Sequence, residues 1–361
     1  MQDDLTLIAG RSVDSLRAFS GWTNIRVSRS IERMPSDFEI EMTELTPGEA
    51  DQLTVEPGDI CEVRLGEDIV TTGYIDRVIP HYAAGEHSIR VIGRGKCQDL
   101  VDCAAIWPGG QISNSTLLGM AQKLCEPYGI RAIAANDPGT IVEQFNLNLG
   151  ESTFDIIEKV ARYQAKLVYE LPTGDLLISD VGVETHASGV VEGSNVEEGT
   201  YIWAIDQRYS EYLAIRMSIA PYKEVSDEEA NIISIARDPE VLRLRRRIIV
   251  SEPGTGGADI AQRRAYWDAA ARSGRGHAVR VRVDSWRDRD GKLWQPNWLV
   301  PLELPNLKVG RVTWLIAEVD YGRDDKGTHA ELIVMPREGF LPEPLRPPIA
   351  IAEIKPVGAP Q

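Results

Sequence analysis

Long apolar runs, a basic amino-terminal leader and paired cysteines are all missing from this 361-residue chain, and each absence removes a class of protein. No stretch approaches the roughly 20 apolar residues that a membrane-crossing helix needs, so stable membrane insertion is not expected. The opening MQDDLTLIAG places two acidic residues where a secretory leader would be basic, and its apolar run breaks almost at once. Export by the general route is therefore not expected. The four cysteines, Cys61, Cys97, Cys103 and Cys125, show neither Cys-x-x-Cys spacing nor a neighbouring histidine of zinc-motif type. Buried free thiols are the expectation, with a Cys97 to Cys103 disulfide as the sharper alternative. Basic charge is short too: 39 Lys and Arg against 55 Asp and Glu give a net charge of −16. That balance disfavours a general nucleic-acid binder, which must neutralise phosphates.

Catalytic signatures are also absent. There is no Gly-x-Ser-x-Gly elbow, no His-Glu-x-x-His helix and no Walker loop. His81, His87, His186, His277 and His329 are scattered, mostly in loop-like contexts that suit surface or structural roles. Gly93-Arg-Gly95 lacks the third glycine and the following helix of a dinucleotide fingerprint, and Gly254-Thr-Gly-Gly257 follows no strand of parallel-sheet type. Glu151 and Asp155 lie one helical turn apart, where capping and helix-dipole interactions account for them without catalysis. No catalytic residue, cofactor or metal ligand is expected.

What remains is a dense pattern of short strands. Leu5 to Ala9 opens it; Ile25 and Val27, then Phe38, Ile40 and Met42, then Cys61, Val63 and Leu65 alternate with polar residues at period two. Ile69 to Cys103 reads as a hairpin with strand-like ends, running into a glycine corner at Gly73, Gly93 and Gly95. From Trp107 the character changes. Leu117, Leu118, Ala121, Leu124, Cys125 and Tyr128 recur at helical spacing before a C-cap glycine, Gly129. Ser152 opens a second helix with Phe154, Ile157, Val160 and Ala161 as its buried stripe, and Leu167–Glu170 and Leu176–Ser179 flank a turn.

Beyond Ser188 to Gly199, read as a loop, Leu213, Ile215, Met217 and Ile219 alternate like a strand. Ser226 to Ala236 reads as a surface helix, Glu252 to Gly257 as a flexible break, and Asp259 as the cap of a helix through Arg272. Val279, Val281 and Val283 alternate with arginines, and Val300, Leu302 and Leu304 with two prolines and a glutamate, which suits an edge strand. Two strands flank a tip at Arg323 to Gly327, and seven prolines from Pro336 onward exclude helix. That tail either wraps a neighbour or is disordered. Arg243-Leu-Arg-Arg-Arg247 is either an exposed edge whose charges, Arg243, Arg245, Arg246 and Arg247, discourage strand pairing, or a surface for an acidic partner. Trp286, Trp294 and Trp298 fit a core or subunit interface, with a sugar platform as the alternative.

The fold class expected is therefore α+β and mainly β: two small antiparallel barrels, 1–106 and 186–338, around an α+β insertion, 107–185, with a proline-rich tail, 339–361. Three stretches resemble one family. They are Gly73-Tyr-Ile-Asp-Arg-Val with Arg90 to Asp102, Asn148 to Arg162 with the following hairpin, and Trp267 to Val283 with Gly291 to Asn297 and Ile316 to Arg337. Together they are similar to the tail baseplate hub proteins of phage Mu and Mu-like prophages, related in fold to the phage T4 hub and the base of type VI secretion spikes. The resemblance implies a structural, non-enzymatic hub of a contractile tail. It implies a homotrimeric ring between the sixfold tail tube and the threefold central spike, located in the virion and assembled in the host cytoplasm. Its partners would be the spike, the tube and other baseplate proteins, and DNA would pass without specific binding. A tail-borne peptidoglycan hydrolase and a glycan-binding tail-tip protein are the alternatives that carboxylates and tryptophans leave open.

Overall fold

Alternation of apolar and polar side chains builds the first third of the chain. The structure, a computed structural model, describes residues 4–43, 55–84, 86–164, 166–182, 184–216, 232–251 and 257–341. β1 (Leu5–Gly10), β2 (Arg17–Phe19), β3 (Asn24–Ser30), β4 (Asp37–Thr43), β5 (Ile60–Leu65), β6 (Asp68–Ala83) and β7 (Glu86–Gly95) pair antiparallel in the order β3-β4-β7-β6-β5-β1-β2. Cys61, Val63 and Leu65 are buried on one face of β5 while the residues between them are half-exposed, as period two requires. The end of the expected hairpin differs: α1 (Gln98–Asp102), a short helix, stands where a strand was expected.

The insertion has its own core. β8 (Gln111–Thr116) pairs with β10 (Ile141–Asn146). α2 (Leu117–Cys125) is capped by the Thr116 side chain and leads through a turn to Gly129, whose φ of 61° is the left-handed conformation of a helix stop. α3 (Thr153–Tyr163) is capped by Ser152, whose hydroxyl accepts the Asp155 N–H at 3.1 Å. Its fully buried apolar residues are Ile156, Ile157, Val160 and Ala161, so Ile156 takes the place expected for the half-buried Phe154. β11 (Leu167–Glu170) and β12 (Leu176–Ser179) form the expected hairpin, and β12 also pairs parallel with β9 (Ala132–Ala134).

The last part returns to β structure. β13 (Glu184–Thr185), β14 (Val190–Val191) and β15 (Val196–Trp203) occupy the stretch read partly as loop. β16 (Glu211–Arg216), β17 (Ile232–Arg237) and β18 (Arg246–Ser251) make a separate three-stranded sheet under α4 (Gly257–Arg275). β17 replaces the end of the helix expected over 226–236; 226–231, Met217, Ile219 and 252–256 lie outside the described residues. The buried face of this sheet is Tyr212, Ala214, Ala236 and Ile249, not Leu213 and Ile215; α4 lays Ala265 against it, and Tyr212 fills the space beside the small Ala214 and Ala236. Asp259 lies inside α4 and does not cap it. β19 (His277–Val283), β20 (Trp298–Leu304), β21 (Val309–Asp324) and β22 (Gly327–Met335) complete the chain. β20 is flanked on both sides: β21 lies on one, and β13 and β14 pair on the other, opposite Trp298–Leu299 and Leu302–Glu303, with Pro301 in the gap. A 3₁₀ turn at Arg337–Phe340 buries Phe340, although helix was excluded there; 342–361 lie outside the described residues.

Among the described residues the two β regions do not close as separate barrels. Residues Glu318–Arg323 of β21 pair with Ser30–Ile25 of β3, so one fourteen-stranded sheet runs through both regions, with β15 at one end of its path and β2 at the other. Phe38, Val63, Val281 and Leu332 belong to one core. Within that sheet a unit repeats. β6 and β21 are both 16 residues long. Each has a register shift at the same place, between its eighth and tenth residues, Ile75/Arg77 and Ile316/Glu318. Each turns through two residues into β7 or β22, which pairs in turn with β4 or β19.

Candidate assembly joints and surfaces

Gly73, Gly93 and Gly95, the residues of the expected corner, lie within strands β6 and β7, and none has a positive φ. They are small for another reason. A Cβ on Gly73 would lie 1.9 Å from the Arg94 carbonyl oxygen, one on Gly93 would lie 2.4 Å from the Phe38 ring, and one on Gly95 would lie 2.0 Å from the Glu170 carboxylate. Gly95 thus leaves room for a side chain from the insertion. Glu170, at the end of β11, is 5% exposed and accepts the backbone N–H groups of Ser36 and Cys97, each at 2.8 Å. Burial pushes its pKa up, and the two N–H groups pull it back without outweighing burial. One carboxylate therefore fastens the insertion to the first β region.

A second joint ties the insertion to the last β region. Asn297 is fully buried at φ 65°. Its side chain accepts from Gly182 N at 2.8 Å and donates to the Asp180 carbonyl at 2.8 Å and to the Tyr169 hydroxyl at 3.3 Å. Nearby, the His186 ring lies 4.8 Å from both the Trp294 and Trp298 rings. Gln295 N–H donates to its Nε2, so Nδ1 carries the proton and donates to Asp288 at 3.0 Å. Burial lowers the His186 pKa despite that carboxylate, while the Asp288 pKa is lowered because hydrogen bonds from His186 and Lys292 N–H outweigh its burial. Trp286 and Trp294 are buried, with indole N–H groups donating to the Gly322 and Ser285 carbonyls. Trp294 is therefore core and not a contact surface, and the sugar platform does not form. Trp298 is half-buried, with Lys292 over its ring.

The arginine cluster is largely spent within the chain. Arg245 donates to the Ile205 and Asp206 carbonyls, Arg246 to Glu211, and Arg247 to Asp268 on α4. Arg245, Arg247 and Arg272 surround the Tyr209 ring. Arg243 stays exposed, and β18 is an edge strand. Where Ile31, Phe154, Leu167 and Trp267 converge, a cleft of about 590 Å³ separates the first region, the insertion and α4. All four cysteines are free, Cys103 half-buried and the others buried. Glu151 binds Asn148 and Lys159, as a structural carboxylate would. Among the described residues no group of three or more His, Cys, Asp and Glu could hold a metal ion, and no helix is long and apolar enough to cross a membrane.

Three family models match successive parts of the chain: "Mu phage baseplate assembly protein GpP-like, N-terminal" over 14–95, "Baseplate hub protein gp44-like, second domain" over 97–180, and "Mu phage baseplate assembly protein GpP, fourth domain" over 257–343. The baseplate hub protein gp44 of Escherichia phage Mu is 31% identical over 333 residues, 90% of this chain and 87% of that protein. The chain belongs to the phage Mu baseplate hub family. This hub chain also matches the 43 kDa tail protein of prophage MuSo2 from Shewanella oneidensis, with a TM-score of 0.82 and 28% identity over 95% of this chain and 100% of that one. It shares its fold with an Escherichia coli type VI secretion component described as structurally similar to the T4 tail proteins gp27 and gp5, with a TM-score of 0.53 and 10% identity over 90% and 77% of the two chains.

As a structural baseplate hub of a phage tail, and not an enzyme, the hub chain has a function that rests on rigidity and contact. Glu170 and Asn297, which fix the insertion on both sides, are the residues that sequence reading missed. Each lay within a stretch singled out for other reasons. A sharper signal was also present: Tyr74-Ile-Asp-Arg-Val78 and Leu315-Ile-Ala-Glu-Val319 share Ile and Val at the same positions of the repeated long strand.

Proposed function

We propose that three copies of this hub chain form a homotrimeric ring that adapts the sixfold tail tube to the threefold central spike. The ring sits in the virion tail, is assembled in the host cytoplasm, and contacts the spike, the tube and other baseplate proteins. Each β region supplies one wall unit, so three copies present six similar units around one axis, which meets sixfold and threefold partners alike. The observation that carries this reading is the internal repeat: two 16-residue strands with the same register shift at the same position, each heading a matching run of strands in one sheet. A net charge of −16 suits a channel through which DNA passes without sticking. Light scattering on the full chain tests the ring. A stable species near three times 40.0 kDa is expected; a strict monomer at high concentration overturns it.

A further inference from the structure

The repeated unit is satisfied on one side of the chain and left open on the other. In the second unit the half of β21 after the register shift pairs with β3, and Val319 and Tyr321 are buried. In the first unit the corresponding half of β6 has β7 on one side only. Among the described residues no strand lies on the other side from Arg77 onward, because β5 stops pairing at Tyr74. Arg77, Pro80, His81 and Tyr82 are exposed, and Val78 and Ile79 are half-buried.

The strand that would fill this gap can be read from the register. β3 lies beside β4, which pairs with β7; β15 lies beside β19, which pairs with β22. β15 is thus the second unit's counterpart of β3, and it is the end of the sheet path, with an outer edge that no strand among the described residues pairs. Carrying the β3–β21 register across places Ile202 opposite Ile79 and Trp203 opposite Val78. Ile202 and Trp203 are 52% and 68% exposed and Tyr82 is 80% exposed. The apolar side chains brought opposite one another here, Val78, Ile79, Ile202 and Trp203, are what soluble chains ordinarily keep off a free edge; Arg77, Glu197 and Glu198 flank them, and Pro80 leaves one position of β6 without an N–H to donate.

We infer that β15 of one copy pairs antiparallel with the Val78–Tyr82 segment of β6 in the next copy, repeating between copies the β3–β21 joint found within each copy. The surfaces are different on the two sides, so the contact is head-to-tail, and a rotation of one third of a turn closes it into a ring. This pairing rests on the ring proposed above, and it names the contact. It makes the hub wall one continuous sheet and leaves no free edge at either position.

Cysteines placed in register test it. Residues directly opposite across antiparallel strands have Cα atoms about 4.5–5.5 Å apart, within disulfide reach. Full-length chain carrying Ile79→Cys and Ile202→Cys should oxidise into covalent species that stop at three chains on a non-reducing gel. Ile79→Cys with Glu198→Cys, about 13 Å out of register, should not, and each single-cysteine chain controls for the four native thiols. Trp203→Asp, with its circular dichroism unchanged, should weaken association at least about tenfold. A trimer indifferent to Trp203→Asp that forms no in-register cross-link would overturn this pairing and leave the ring standing. A wild-type chain that stays monomeric removes both.

Discussion

Asn297 concentrates three demands in one side chain, and no local pattern announces them. Its backbone needs the left-handed region, where asparagine is tolerated better than most residues. Its amide both accepts and donates, so it can bond the Gly182 N–H and the Asp180 carbonyl at once. Alanine would keep neither property. Asn297→Ala is expected to lower unfolding free energy by about 3 kcal/mol, from a strained backbone and buried partners left unpaired, read as a shift in the urea midpoint; a shift under about 1 kcal/mol would mean that the joint holds without it. The partners of Asn297 and Glu170 lie between 73 and 134 positions away in sequence. Sequence reading sees neighbours at two to four residues, so these two joints were invisible to it, whereas Gly73, Gly93 and Gly95 were visible and were read as a corner.

At the level of elements, legibility followed burial. Strands with one buried face, such as β4, β5 and β19, declare themselves by alternation. β15 does not, because most of its residues are exposed at a sheet edge and no period is imposed on them. β16 was seen as a strand, but the face that α4 covers is that of Tyr212 and Ala214, not that of Leu213, a choice made by a helix fifty residues away. Helix caps were local and legible. Ser152→Ala removes the hydroxyl that accepts the Asp155 N–H and should cost about 1 kcal/mol. The effect should appear as faster amide exchange in the first turn of α3, with β1 to β5 unchanged; equal acceleration throughout the chain would show that α3 does not open by itself.

For the whole molecule, the insertion and the β frame differ in independence. The core of the insertion is built from residues between Cys97 and Ile178, and among the described residues Met34 is the one apolar side chain from outside that packs on it. The β frame has no such boundary: Phe38 and Val63 from the first region share a core with Val281 and Leu332 from the last, and β3 hydrogen-bonds along β21. A fragment of 97–180 should therefore fold alone and melt cooperatively. A fragment of 1–96 should not, because removing β21 strips β3 of its partner and opens half of a shared core to water. Circular dichroism melts of the two fragments decide this, and the full chain should lose its frame in a single transition. Cooperative melting of 1–96 would mean that the first β region is a self-sufficient unit and that the shared sheet only docks two finished domains. The expected result gives the hub a mechanical property instead: a load applied to one β unit is carried through backbone hydrogen bonds into the other, while the insertion can yield locally without breaking the wall.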